Sequence, residues 1–365
     1  MLGSRALFPT LEARVYLNHA AISPLSTPVC AAMGACIDDY AARGLGALPR
    51  WMEQREELRA DLGRLLGVPL ERIALTGGTS RGLMDLALCL PWQPGDRVVC
   101  FQGEFPANVT PWRQAASQFG LELLLLPQSV DALEAELRRG VRLVAVSAVQ
   151  FSTGRRMPVE EMGLLCHRHG AELAVDGIQA IGAVPLDLAE VDYLAGGSHK
   201  WLMGPEGAGY LYVAEGRRLV PRVAGWLSHP EPVDFLLKGA GHLRYDKPIR
   251  DEPSALEIGS TNAVGMAGLG AAVKILLELG VESIHQHVQE ILDPLEQGLV
   301  RRGCTSLRGG SCSLSVRSPI PALDAVRALG EAGIAVSAPD GLLRLAPHWP
   351  NSVDQVDTVL SALPF

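Results

Sequence analysis

From about residue 70 to residue 213, short apolar runs alternate with amphipathic stretches, and this alternation narrows the possible folds more than anything else in the chain. The apolar runs are Arg72–Leu75, Arg97–Phe101, Glu122–Leu126, Leu143–Val149, Glu172–Val175, Tyr193–Ala195 and Gly209–Val213. Between several of them lie Ser80–Leu90, Ala107–Phe119, Val130–Arg139 and Val159–His169, which carry apolar residues at helical spacing. A strand that is apolar throughout has no face for water, so its sheet must be covered on both sides. Parallel strands joined by helical crossovers achieve that cover. The expected fold is therefore α/β, with a mostly parallel sheet.

Irregular sequence containing Pro and Gly dominates from Gly225 to Gly259. A long helix is expected next, from Ala263 to Leu279, with Gly280 as its C-cap. The tail then alternates helix (Ser283–Arg301), strand (Cys312–Val316), helix (Ala322–Ala332), strand (Leu342–Leu345) and helix (Val353–Ala362), the pattern of a smaller α+β domain. A length of 365 residues also favours two domains over one.

A net charge of −8 argues against nucleic acid as a partner, since phosphate contacts demand a basic face. No apolar run approaches the roughly 20 residues of a membrane span, and Met1–Thr10 lacks a secretory pattern. The seven scattered cysteines include no CxxC pair and no zinc-like spacing, so no metal is expected. Reduced thiols and a cytoplasmic location are the expectation. Only four of the 32 basic residues are lysines, at 200, 238, 247 and 274. Any task that needs a primary amine has few candidates, because arginine does not give up its proton.

Four segments, each just beyond a strand, fit one cofactor. In Gly196-Gly-Ser198-His199-Lys200-Trp201, small residues allow close backbone approach and present a lysine beside a serine and a histidine. A shielded lysine can lose its proton readily enough to attack an aldehyde. In Ala174-Val-Asp176-Gly-Ile-Gln179, an apolar strand runs straight into a carboxylate at the edge where open α/β sheets bind ligands. A buried carboxylate needs a cation, and a protonated pyridine nitrogen would serve. Gln179 could donate to the ring's phenolate. In Thr76-Gly-Gly-Thr79-Ser80, free N–H groups at a helix start and two hydroxyls suit a phosphate. Glu104-Phe105-Pro106 offers an aromatic ring to lie on a flat cofactor. Taken singly, each segment also has an ordinary structural reading. Asp176 could cap a helix, Phe105 could be core, and Lys200 could be a surface lysine after a strand.

Together these motifs resemble the class V aminotransferases, a family of fold-type I pyridoxal-phosphate enzymes. The likeness runs from Tyr16-Leu-Asn-His-Ala-Ala21 through Ser198-His199-Lys200-Trp201 to Leu343-Arg344-Leu-Ala-Pro-His348 and Asn351. It implies a large seven-stranded domain over 16–255, a smaller α+β domain over 256–365, and an N-terminal segment, 1–15, packed on the smaller one. It implies pyridoxal 5′-phosphate held by Lys200 as a Schiff base, Asp176 on the pyridine nitrogen and Gln179 on the phenolic oxygen. Thr79, Ser80, Ser198 and His199 would bind the phosphate. Glu257-Ile-Gly-Ser260-Thr-Asn262 resembles the segment that completes this site from a neighbouring subunit, so a homodimer with shared sites is implied. Arg344 matches the arginine that holds the substrate α-carboxylate; His19, by its own position, either approaches the substrate or is structural.

The resemblance implies an enzyme acting at the α-carbon of a small-molecule amino acid, as an aminotransferase or a C–S or C–C lyase. The alternatives are a racemase or epimerase like isopenicillin N epimerase, or a non-catalytic protein of the same fold. Arg81 and Met84 stand where Glu and Asn are frequent, and Phe105 stands where desulfurases carry histidine. Ile334-Ala-Val-Ser-Ala-Pro-Asp-Gly-Leu-Leu-Arg344 passes from strand to arginine without the nucleophilic cysteine of a desulfurase. A persulfide-forming cysteine desulfurase is therefore not the expected reading. The Gly225–His229 segment resembles a substrate-side loop.

Overall fold

The computed structural model describes residues 1–365. Its central sheet has seven strands: β2 (Ile73–Thr76), β3 (Arg97–Phe101), β4 (Glu122–Leu126), β5 (Leu143–Ser147), β6 (Glu172–Asp176), β7 (Tyr193–Gly197) and β8 (Gly209–Val213). Their spatial order is β2-β8-β7-β6-β5-β3-β4. All neighbours pair in parallel except that β8 runs antiparallel to both β2 and β7. Covering on both faces shows in successive residues of β5. Val144 and Val146 enter one apolar core, while Leu143 and Ala145 enter another.

The strand bounds follow the apolar runs to within about two residues, and the expected mostly parallel α/β sheet is present. Helices α3 (Thr79–Cys89), α4 (Thr110–Phe119), α5 (Val130–Leu137) and α6 (Val159–Arg168) fall where the amphipathic stretches lie. Two further helices, α1 (Thr27–Arg43) and α2 (Leu48–Leu66), precede the sheet. A short helix, α7 (Asp234–Leu237), interrupts the irregular stretch. Then come α8 (Ala263–Leu279), closed by Gly280 at φ +77°, and α9 (Val281–Arg301). The tail adds β9 (Thr305–Ser306), β10 (Leu314–Arg317), α10 (Ala322–Glu331), β11 (Ile334–Ala335), β12 (Leu343–Leu345) and α11 (Gln355–Ser361).

In the tail, β10 pairs antiparallel with both β9 and β12. The N-terminal strand β1 (Val15–Tyr16) pairs in parallel with β11, across more than 300 residues of sequence. The first residues also meet the tail. The Gly3 amide donates to the Trp349 carbonyl at 2.8 Å, and the Phe8 and Trp349 rings lie 5.5 Å apart. Helix α8, by contrast, packs on α1 and α2, and just before it the Glu257 carboxylate accepts from the Leu75 amide of β2 at 2.8 Å. A division after residue 255 cuts through this packing, so we propose that the two domains part nearer Gly280. No single helix is long and apolar enough to cross a membrane.

Candidate active site

Parallel register brings the C-terminal ends of β5, β6 and β7 level, since Ser147 pairs with Asp176 and Asp176 with Ala195. Beyond those ends lies a cavity of about 580 Å³. Lys200, Asp176, Gln179, His199, Thr79, Ser80, Phe105 and Arg344 all line it. Residues separated by 265 positions in sequence thus converge on one space, each delivered by the loop after a strand or, for Arg344, by β12 itself.

The Lys200 amine sits 5.5 Å from the centre of the Phe105 ring. Burial lowers its pKa to about 8, opposed by the nearby Asp176 carboxylate. The free-base amine needed for attack on an aldehyde is therefore well populated at mildly alkaline pH. Asp176 is 1% exposed, and its carboxylate accepts one backbone hydrogen bond, from Ile178 N at 2.9 Å. Burial pushes its pKa up to about 7. Such a carboxyl lacks a strong cationic partner, which is the electrostatic vacancy a protonated ring nitrogen fits.

Gln179 is pinned from both sides of its amide. Its nitrogen donates to the Ala20 carbonyl at 3.0 Å, and its oxygen accepts from the Trp201 indole at 2.8 Å. One amide hydrogen remains for the cavity. At the start of α3 no side chain caps the helix, and the buried Thr79 hydroxyl has no partner. Gly77 and Gly78 also line the cavity here, Gly78 at φ +132°. Unsatisfied donors at a helix start beside an orphaned hydroxyl match a phosphate.

Arg344 is 4% exposed and forms no ion pair with an acidic residue. Its guanidinium donates to the Phe151 carbonyl and to the Ser337 hydroxyl, the latter at 3.2 and 3.3 Å. Burial lowers its pKa to about 10. A buried cation served only by neutral oxygens is poised for an anionic ligand.

Two of the expected positions need correction. The Ser198 hydroxyl is fully buried and donates to the Pro205 carbonyl, so it braces the loop instead of facing the cavity. His19 does not line the cavity. Its ring is buried in edge-on contact with Tyr16 and His348, and its Nδ1 lies 2.8 Å from the Ser23 hydroxyl. Ser260 lies exposed, outside the cavity of its own chain, which leaves its expected role in a neighbouring subunit's site untouched, and the Trp226 side chain is exposed outside the cavity too.

Ile22, Phe151, Pro339 and Glu206 also line the cavity and were not anticipated. Phe151 was discoverable, because it follows β5 just as Phe105 follows β3, and the two rings meet edge-on at 5.2 Å. Ile22 and Pro339 are brought in by the β1–β11 pairing, which no local pattern reveals. Arg81 reaches the cavity too, its Nε held by both oxygens of Asp85 at 2.8–2.9 Å. None of the seven cysteines lines the cavity.

Amine, acid, helix-start donors and a flanking aromatic, set at the C-terminal ends of a mostly parallel sheet, define the site of a fold-type I pyridoxal-phosphate enzyme. The chain belongs to the class-V aminotransferase family, whose profile matches residues 15–343. Its relatives include a probable cysteine desulfurase of Pyrococcus abyssi, 28% identical over 97% of this chain and 94% of the relative. An uncharacterized aminotransferase of Bacillus subtilis, YcbU, is 26% identical over 96% and 94%. The apo structure of a cysteine desulfurase from Thermococcus onnurineus NA1 superposes with a TM-score of 0.82 at 25% identity, over 95% of this chain and 93% of that one. The cofactor is pyridoxal phosphate, and the protein is an enzyme of this family. The desulfurase names among the relatives run against the expectation that disfavoured such an enzyme.

Proposed function

We propose that this enzyme is a C–S lyase acting on cysteine or a cysteine derivative. The observation that carries the reading is the meeting of Lys200, Asp176 and an arginine without a counter-ion in one cavity. The names of the relatives support a sulfur-containing substrate. When bound, pyridoxal phosphate supplies an aldehyde for the substrate's amine and a ring that spreads the charge left at Cα.

The chain's own groups then divide the work. Arg344 grips the substrate α-carboxylate through parallel N–H donors, which fixes the Cα–H bond relative to Lys200. The Lys200 amine would be the base that takes the Cα proton. Asp176 would keep a proton on the ring nitrogen, Phe105 would pack against the ring, and Gln179 would donate to the phenolic oxygen. Thr79, Ser80, His199 and the first N–H groups of α3 would hold the phosphate, joined by Ser260 from the second subunit of a homodimer.

With no thiol on the cavity wall, the sulfur substituent leaves Cβ for solution. Loss of the Cα proton and of that substituent, followed by addition of water, yields pyruvate, ammonia and the leaving sulfur group: sulfide from cysteine, a thiol from a thioether, a persulfide from cystine. Product analysis tests this. Cysteine and cystine should give pyruvate in step with released sulfur. Alanine in place of pyruvate would show sulfur transfer to an external thiol. A keto acid retaining the substrate's side chain, with the cofactor left in its amine form, would establish a transaminase instead. That second reading draws support from the relative named as an aminotransferase. Substrate recovered with only its Cα hydrogen exchanged would exclude both and favour an epimerase.

A further inference from the structure

The turn that carries Lys200 is held by three consecutive backbone carbonyls, and none of the groups holding them comes from the sheet. The Ser23 amide donates to the His199 carbonyl at 2.7 Å. The Ser23 hydroxyl donates to the Lys200 carbonyl at 2.6 Å. The His348 ring donates from Nε2 to the Trp201 carbonyl at 2.8 Å. His19 stands behind Ser23, with Nδ1 at 2.8 Å from its hydroxyl.

Proton counting fixes the roles. A serine hydroxyl has one hydrogen, and here it goes to the Lys200 carbonyl, so the oxygen must accept from His19. His19 therefore carries its proton on Nδ1. His348 is the opposite tautomer, because its Nδ1 accepts from the Trp349 amide at 2.8 Å, leaving the hydrogen on Nε2. Burial lowers the pKa of both rings, that of His348 to about 4, so both are neutral at physiological pH. The two rings meet edge-on at 5.4 Å, and His348 lies 5.4 Å from the Trp201 ring.

We propose that His19, Ser23 and His348 form a buried clamp that positions the Lys200 turn and, through it, the amine in the cavity. These are positioning residues, since they reach the chemistry only through the backbone of residues 199–201. The clamp ties both chain ends to the lysine. Ser23 lies at the end of the segment begun by β1, while His348 follows β12. The same segment forms a wall of the cavity at Ala20–Ile22, and Gln179 anchors it through the Ala20 carbonyl. Loss of the Ser23 hydroxyl would loosen that wall and the lysine together, leaving the amine less fixed in the buried position that lowers its pKa.

The inference rests on Lys200 being the cofactor-holding residue. The test is the pH dependence of Lys200 acylation in the cofactor-free protein, followed by peptide mass mapping, for the wild type, Ser23→Ala and Ser23→Thr. The charged and titratable groups facing that amine are Asp176, Arg344 and His199, with Arg81 and Glu206 on the same cavity. All are common to the three proteins, so a difference reports the clamp. Ser23→Ala should move the midpoint from about 8 toward the ordinary lysine value by about half a unit or more. It should also weaken cofactor retention on gel filtration about tenfold, roughly what one lost buried hydrogen bond delivers. Ser23→Thr, which keeps the hydroxyl, should stay near the wild type. His19→Ala combined with Ser23→Ala should add little to Ser23→Ala alone, because His19 acts through Ser23. An unchanged midpoint and unchanged retention in a folded Ser23→Ala protein would overturn the clamp. A wild type that retains no cofactor at Lys200 would instead overturn the functional reading beneath it.

Discussion

The two ends of strands β6 and β7 treat buried charge in opposite ways. At the entry end, Glu172 accepts from the Tyr193 hydroxyl at 2.9 Å and from Arg142 at 2.7 Å, with Arg217 at 3.4 Å. Asp192 accepts from the Leu173 amide and from Arg217, both at 2.6 Å, and lies 3.0 Å from His167. At the exit end, four residues further along β6, Asp176 has one backbone hydrogen bond, and Arg344 on the same cavity has no acid at all. Burial therefore drives Asp176 up to about 7 and Lys200 down to about 8. Groups buried with their partners sustain the fold. Those buried without them await a ligand that brings the missing charges.

Breaking the exit end should damage chemistry more than folding. Asp176→Asn should lower kcat on the order of 10²–10³-fold, by removing the anion that keeps the ring nitrogen protonated. The same change should stabilise the cofactor-free protein at pH 7. An acid whose folded pKa is raised holds more protons folded than unfolded between its ordinary value and about 7. Stability therefore falls as pH rises through that window, and the asparagine abolishes the fall. Thermal melts of the cofactor-free protein from pH 4 to 8 measure it.

Arg344→Ala comes next, with kcat/KM reduced about 100-fold for an amino acid and cofactor absorbance retained, since the guanidinium serves the substrate carboxylate. Steady-state kinetics alongside the absorbance spectrum separate the two effects. At the entry end the pattern should invert. Asp192→Ala should destabilise the fold by about 1–3 kcal/mol, by leaving the buried Leu173 amide without an acceptor and Arg217 with Glu172 alone, while kcat/KM stays within about twofold. Urea unfolding checks the first and kinetics the second. The smallest effect belongs to the cavity wall. Phe151→Leu should change KM by roughly three- to tenfold through lost apolar contact, with cofactor binding untouched.

The difference between the two ends also explains what could be read from sequence. Strand-end placement marked Asp176, Phe105, Thr79 and Lys200, because an apolar run that stops on a polar or aromatic residue is a local pattern. The same rule, applied after β5, would have reached Phe151. His19 and Ser198 stand in motifs that suggest a place in the site, but the Ser198 hydroxyl turns inward to the Pro205 carbonyl and the His19 ring to the Ser23 hydroxyl, which only tertiary contacts decide. Helices α1 and α2 escaped notice because α8 covers them, so their apolar faces are defined by a partner more than 200 residues away. Arg344 was placed by resemblance, but its lack of a counter-ion emerged only from the folded contacts.

The most direct test of the central claim is borohydride reduction of the cofactor-loaded protein, followed by peptide mass mapping. Of the four lysines, only Lys200 lines the cavity. The expected result is a reduced pyridoxyl group on the peptide carrying Lys200, absent in Lys200→Ala together with the cofactor's visible band. Label on Lys238, Lys247 or Lys274, or an unchanged band in Lys200→Ala, would contradict it.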